Sequence, residues 1–120
     1  MNDERKKDLR ERTKAFALRI LKLCASLPKS KEAELIRWQL LKSGTSVGAH
    51  YREATRARST AEFVSKMEGG LQELEESIYW LELLVDGKIM PISLLQGLMN
   101  EANEVVAIFV SSVKTAKKRK

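Results

Sequence analysis

Four stretches of the chain repeat apolar positions in alternating steps of three and four. That spacing lines side chains along one face of an α-helix. The first stretch reads Leu9, Thr13, Phe16, Ile20, Leu23 and Leu27, with Thr13 as its polar member. Pro28 stops it, because a proline ring disfavours helical geometry in the residue before it. The second reads Ile36, Leu40, Ser43, Val47, His50 or Tyr51, and Ala54. Its small and polar members predict close packing, and Gly44 and Gly48 point the same way. Each glycine costs about 0.5–1 kcal/mol relative to alanine in a helix, but lets another backbone approach. Ser30 is placed to cap this helix, and Glu32 and Glu34 suit the positive end of its dipole.

The third stripe is Phe63, Met67, Gly70, Leu74, Ile78, Leu81 and Val85. Ser59-Thr60-Ala61-Glu62 reads as a capping box at its start, and Gly87 is placed to end it. The fourth stripe is Leu95, Leu98, Ala102, Val105, Phe109 and Val113, with Pro91 at its first position. Together these patterns predict helices over about 3–27, 31–57, 60–86 and 91–116 and a basic tail over 114–120, all in one domain of 120 residues. Short connections between long helices impose antiparallel neighbours. The predicted fold class is all-α, an antiparallel up-down-up-down four-helix bundle. With a tight turn near Arg58, Gly48 is expected to face Gly69, and Val47 to face Gly70, where the second and third helices cross.

Composition narrows the partners more than the fold. Two prolines and six glycines disfavour a turn-rich β architecture. One cysteine, Cys24, excludes an internal disulfide and fits a reducing compartment. Among Leu21, Leu23 and Leu27 it reads as a small core residue. No apolar run approaches the roughly 20 residues that span a bilayer, and the charged N-terminus leads into no signal-peptide core. A cytoplasmic protein with no membrane partner is expected. The net charge of +6 is uneven: residues 1–30 carry +5, 31–58 carry +3, 59–90 carry −5 and 91–120 carry +3. One acidic segment among basic ones predicts ion pairing, with a surplus left for an anionic partner.

No catalytic, metal or cofactor site is legible. Glu73, Glu75, Glu76 and Glu82 cluster, but a di-metal bundle site needs Glu-x-x-His motifs and none occurs. Some small helical RNases place Arg four to six residues before His. Before His50 those positions are Gly44, Thr45 and Ser46. The Gly44–Gly48 segment lacks the Gly-Lys-Ser/Thr ending of a phosphate loop. The chain is therefore expected not to be an enzyme and to need no cofactor. The candidates for phosphate contacts are Lys42, Arg52, Arg56 and Arg58, with Lys114, Lys117, Lys118, Arg119 and Lys120 in the tail. The alternative for Lys42 and the three arginines is surface charge or pairing with the glutamates of the third helix. Trp38, Tyr51 and Trp80 are the candidates for subunit contacts, with core packing as their alternative.

Two segments carry a family resemblance. One is RWQLLKSGTSVGAHYREA (37–54), followed by RARS (56–59). The other is AEFVSKM (61–67), followed by ELEESIYWLELL (73–84). Together they resemble the four-helix-bundle proteins encoded in intervening sequences of bacterial 23S ribosomal RNA genes, and the resemblance extends over almost the whole chain. That family is distantly similar to the accessory variability determinant of diversity-generating retroelements, a basic ring-shaped pentamer that works with a reverse transcriptase and nucleic acid. The resemblance implies a homopentamer without established enzymatic activity. It implies RNA or DNA, a reverse transcriptase or a ribosomal component as partners. His50 stands where members usually carry Asn, and Gly69-Gly70 is an unusual pair there. Two function classes follow: a non-catalytic oligomer associated with nucleic acid, or a structural interaction module whose charges bind other subunits. An RNase is a third class, opposed by the missing arginine.

Overall fold

The stripes read from the periodicity follow the buried faces of four helices, except that the third turns to bury Ser77 and Leu84 where the spacing predicts Ile78 and Val85. The computed structural model describes residues 3–119, with side chains from Asp8 onward. The helices are α1 (Asp3–Ser26), α2 (Lys31–Thr55), α3 (Thr60–Asp86) and α4 (Ile92–Lys118). They stand antiparallel in chain order, each packed on its two neighbours, in a bundle 49 × 22 × 20 Å. The α2–α3 seam is the broadest and the α1–α4 seam the thinnest. The core runs the length of the bundle, from Leu9, Tyr51 and Met67 at one end to Cys24, Ile36, Leu84 and Leu95 at the other.

The buried hydroxyls of Thr13, Ser43 and Ser77 are satisfied where they lie. The Thr13 hydroxyl donates to the Leu9 carbonyl in its own helix at 2.8 Å. Ser43 and Ser77, both fully buried, meet across the α2–α3 seam at 2.8 Å. Because the Ser77 hydroxyl already donates to the Glu73 carbonyl, Ser43 is the donor in that pair, each hydroxyl having one hydrogen. Such buried hydroxyls stay in register because leaving one unpaired costs about 1–3 kcal/mol.

The helix ends follow local chemistry, with three departures from the sequence reading. Ser30 accepts from the Ala33 backbone N–H, and Ser59 accepts from the Glu62 backbone N–H. The second is one half of the expected capping box; among the described residues, no bond returns from the Glu62 side chain. Pro91 sits just before α4 as its N-cap rather than at the first helical position. Gly87 does cap α3, but with φ −79°; the left-handed residue is Lys88, at φ 59°. The Lys88 and Ile89 N–H groups close on the Val85 and Leu84 carbonyls, the double bond pattern that normally favours glycine where Lys88 stands. The end of α1 is held from outside. Arg37 of α2 donates to the Cys24, Leu27 and Pro28 carbonyls while pairing with Glu34.

The glycines do not meet as expected. A Cβ at Gly44 would lie 2.7 Å from Ile20, and one at Gly48 would lie 3.1 Å from Thr13. Both glycines therefore bring α1, not α3, close to α2. Gly69 lies under the ring of His50 and Gly70 under Phe109 of α4. The α2–α3 register, with Ser43 on Ser77 and His50 on Gly69, is displaced by about half a helical turn from the one a tight turn at Arg58 predicts.

Candidate nucleic-acid interface

Antiparallel packing gathers four chain segments at one end of the bundle: the start of α1, the end of α2 with its connection to α3, the first turns of α3, and the last turns of α4. The first, second and last of these are the basic segments of the sequence. Arg52 is half-buried there, and Arg56 and Arg58 are exposed. Lys114, Lys117, Lys118 and Arg119 are exposed on the last turns of α4. Arg10 of α1 lies close enough for its charge to act on the Tyr51 phenol, opposing the burial that raises that group above its ordinary value. Lys120 lies outside the described residues. Lys42 is exposed but sits beside Trp38 and Leu41, roughly 20 Å along α2 from Arg56. The structure does not bring it into this cluster.

The alternative pairing of these arginines with the glutamates of α3 is absent among the described residues. Among the described residues, Arg52, Arg56 and Arg58 form no ion pair. The pairs at this end are Lys66 with Glu53 at 3.2 Å and Lys117 with Glu68 at 3.6 Å, both exposed. Such pairs contribute about 0–1 kcal/mol and weaken with salt. Arg12, which sequence reasoning did not single out, takes the stronger role. It bonds both carboxylate oxygens of Glu101 at 2.7 and 3.0 Å and reaches Glu104 and Asp8, linking α1 to α4 along their thin seam. The Glu101 hydrogen bond raises the Arg12 guanidinium above its already high value. Its signal in sequence is weak, because the partner is 89 residues away.

The aromatic candidates divide. Tyr51 is buried at 1% exposure, its ring 6.0 Å from that of Phe109. It belongs to the core, so it is withdrawn as a subunit contact. Its position on the α2 stripe, one residue from His50, is the physical reason. Trp80 is half-buried against Tyr79, edge to face at 5.1 Å. Trp38 is 64% exposed, with its indole N–H on Glu34. It borders a groove of about 990 Å³ between α1 and α2 with exposed Leu21 and Leu35. Those leucines fall off the core stripes, and their apolar character outside the helical period was the available signal.

The remaining chemistry-bearing side chains are held apart. His50 Nε2 is 3.8 Å from Glu73, while Nδ1 is buried without a hydrogen-bond partner. Cys24 is buried, and its thiol is pushed up to about 11 by desolvation, against the charge of Arg37. Among the described residues, no three His, Cys, Asp or Glu side chains are grouped to hold a metal ion.

With this arrangement in place, comparison with known proteins assigns the chain. Residues 5–111 match the family described as 23S rRNA-intervening sequence protein. The chain belongs to that family. It is similar to the crystal structure of a protein of unknown function from the S23 ribosomal protein family of Bacteroides thetaiotaomicron. The two share 32% sequence identity and a TM-score of 0.85, over 91% of this chain and 97% of that one. Comparison with curated proteins gives no match. The family match ends within α4, before Lys114, so the four described α4 cations lie beyond it. Among the described residues, no helix is long and apolar enough to cross a membrane.

Proposed function

We propose that this 23S rRNA-intervening sequence protein works by binding rather than catalysis, as an oligomer whose basic end associates with RNA or DNA. One observation carries the reading: Arg52, Arg56 and Arg58 converge with Lys114, Lys117, Lys118 and Arg119 on one end of the bundle, and among the described residues none of the three arginines is paired to a carboxylate. Cationic side chains bind phosphate by releasing condensed counterions, so affinity falls steeply with salt. Among the described residues the cluster is accompanied by one accessible aromatic ring, Phe63, rather than by a platform of several, which supports sequence-tolerant contact. The cytoplasm, where RNA and a reduced Cys24 coexist, is the setting this reading requires.

The test is titration of labelled RNA at low and at physiological salt. The comparison uses wild type, an Arg52, Arg56 and Arg58 to alanine variant, and a chain truncated after Val113. Each single-strand phosphate contact contributes about 0.7 to the slope of log affinity against log salt. Removing three arginines is expected to flatten it by about 2. Absence of binding by wild type at low salt refutes the reading.

The groove beside Trp38 favours a second reading, a module that assembles with copies of itself. Large exposed apolar rings rimmed by charge mark association surfaces. Under this reading the chain forms a homopentamer, and Trp38→Ser is expected to shift its mass in light scattering toward the 13.6 kDa chain. A wild-type protein of 13.6 kDa at micromolar concentration refutes it.

A further inference from the structure

The basic end of the bundle is not a uniform field of charge. Between the α2–α3 connection and the last turns of α4 lies a cleft of about 370 Å³. Its apolar wall is Phe63, half-buried, with Ala57 and Ala116. Arg58 enters from the connection and Arg119 from the end of α4. The rest of the lining is four hydroxyl residues, among them Thr60 and Thr115, and among the described residues it includes no carboxylate. In a chain with 16 Asp and Glu, an acid-free lining with two guanidinium groups selects for an anion.

Volume and chemistry narrow the ligand. About 370 Å³ is at the small end of ligand sites, room for one nucleotide rather than several. A ring fits the Phe63 wall by stacking. A phosphomonoester carries close to two negative charges at neutral pH, matching two arginines, where a backbone diester carries one. Guanidinium groups grip such oxygens through paired N–H bonds, and the Thr60 and Thr115 hydroxyls can donate to the third oxygen or to the sugar.

We propose that this cleft holds the terminal nucleotide of a nucleic-acid strand by its end phosphate. The proposal rests on the nucleic-acid reading above and deepens it. The cleft selects strand ends, while Arg52, Arg56 and the α4 lysines hold the adjoining backbone without selecting. The cleft depends on α4 beyond the family match, since Thr115, Ala116 and Arg119 all lie past residue 111.

The experiment uses full-length protein and fluorescently labelled 12-mer RNAs read by anisotropy at physiological salt. The RNAs are identical except for a phosphate at the 5′ end, a phosphate at the 3′ end, or neither. One phosphorylated end is expected to bind about tenfold tighter than the unphosphorylated strand, a difference of about 1.4 kcal/mol. Arg58→Gln, Arg119→Gln and Thr115→Val are each expected to lower that ratio toward one. Arg56→Gln, outside the cleft, is expected to weaken all three strands and keep the ratio. Circular dichroism confirms that each variant is folded. Equal affinity for the three strands overturns the cleft proposal and leaves the nucleic-acid reading standing. No binding of any strand at low salt overturns both. Adenosine monophosphate competing at the same concentration as the phosphorylated strand also overturns the proposal, because it makes the ligand a free nucleotide.

Discussion

Replacing Gly44 with alanine sets two known effects against each other, and the structure decides which wins. Alanine is a better helix former than glycine by about 0.5–1 kcal/mol. The new Cβ, however, would stand 2.7 Å from Ile20 Cγ1, 2.9 Å from Cγ2 and 3.1 Å from Cβ. Carbon atoms rest about 3.5–4.0 Å apart, so three atoms overlap at once. Ile20 is fully buried, and its branched Cβ means that every staggered χ1 leaves at least one γ carbon facing Gly44, while the Cβ at 3.1 Å does not move with χ1. Relief requires α1 to move off α2, and overpacking of this kind costs about 1–3 kcal/mol. With the helix gain subtracted, Gly44→Ala is therefore expected to destabilise by about 1 kcal/mol, and by no more than about 2.5. Gly97→Ala is the control. It has the same propensity gain, but its Cβ meets only the Arg19 guanidinium at 3.2 Å, the far end of an exposed, flexible side chain. That variant is expected to gain about 0.5–1 kcal/mol. Urea unfolding at one fixed protein concentration measures both, since self-association makes stability depend on concentration. A double-mutant cycle adds the source of the effect: Ile20→Ala removes both γ carbons, so its usual loss of about 2–5 kcal/mol is expected to shrink in the Gly44→Ala background. Stabilisation by Gly44→Ala equal to that of Gly97→Ala, or full additivity with Ile20→Ala, refutes the close α1–α2 crossing.

Three further outcomes follow from other parts of the bundle. Lys88→Gly places glycine where the chain is left-handed, a conformation that costs a residue with a Cβ roughly 1–2 kcal/mol; urea unfolding is expected to show a gain of about 0.5–1 kcal/mol after the added flexibility of the unfolded chain is subtracted, and a loss counts against the turn geometry. Ser77→Ala is expected to cost about 1–2 kcal/mol and more than Ser43→Ala, because it strips the Ser43 hydroxyl of its acceptor while the reverse change leaves Ser77 bonded to Glu73; the opposite order in unfolding curves rejects the assigned donor. Burial raises Cys24 from 9.0 to about 11, so its contribution is fully present below pH 9 and is lost as pH rises through about 11, where the unfolded chain has already released the proton. Stability is therefore expected to fall less across that window in Cys24→Ala than in wild type, and identical pH profiles contradict the buried thiol.

The amino-acid sequence by itself determined four helices, their antiparallel order and nearly all of their buried faces. Period and caps are local properties: Ser30, Ser59 and Pro28 act within a few residues of themselves, and a stripe such as Leu95, Leu98, Ala102, Val105 and Phe109 has one way to avoid water. The family was legible too, because two long segments of α2 and α3 carry it. The clustering of basic residues at one end followed in outline, since antiparallel packing returns the chain to the same end twice. What touches what was decided only by the tertiary structure. A periodic stripe states which face is buried but not the rotation and shift of the helix that covers it. That is why Gly48 meets Thr13 instead of Gly69, and why Tyr51, an amphipathic ring equally suited to a surface, packs on Phe109. Charge pairing was decided there as well. A net charge of −5 over residues 59–90 predicts partners for Arg52, Arg56 and Arg58. Long-range pairing depends on distances of a few ångströms, and in the structure Glu68 of that segment meets Lys117 and Glu73 lies against His50 instead. The cleft between Arg58 and Arg119 joins residues 61 positions apart in the chain, and no local pattern encodes a volume enclosed by two helix ends.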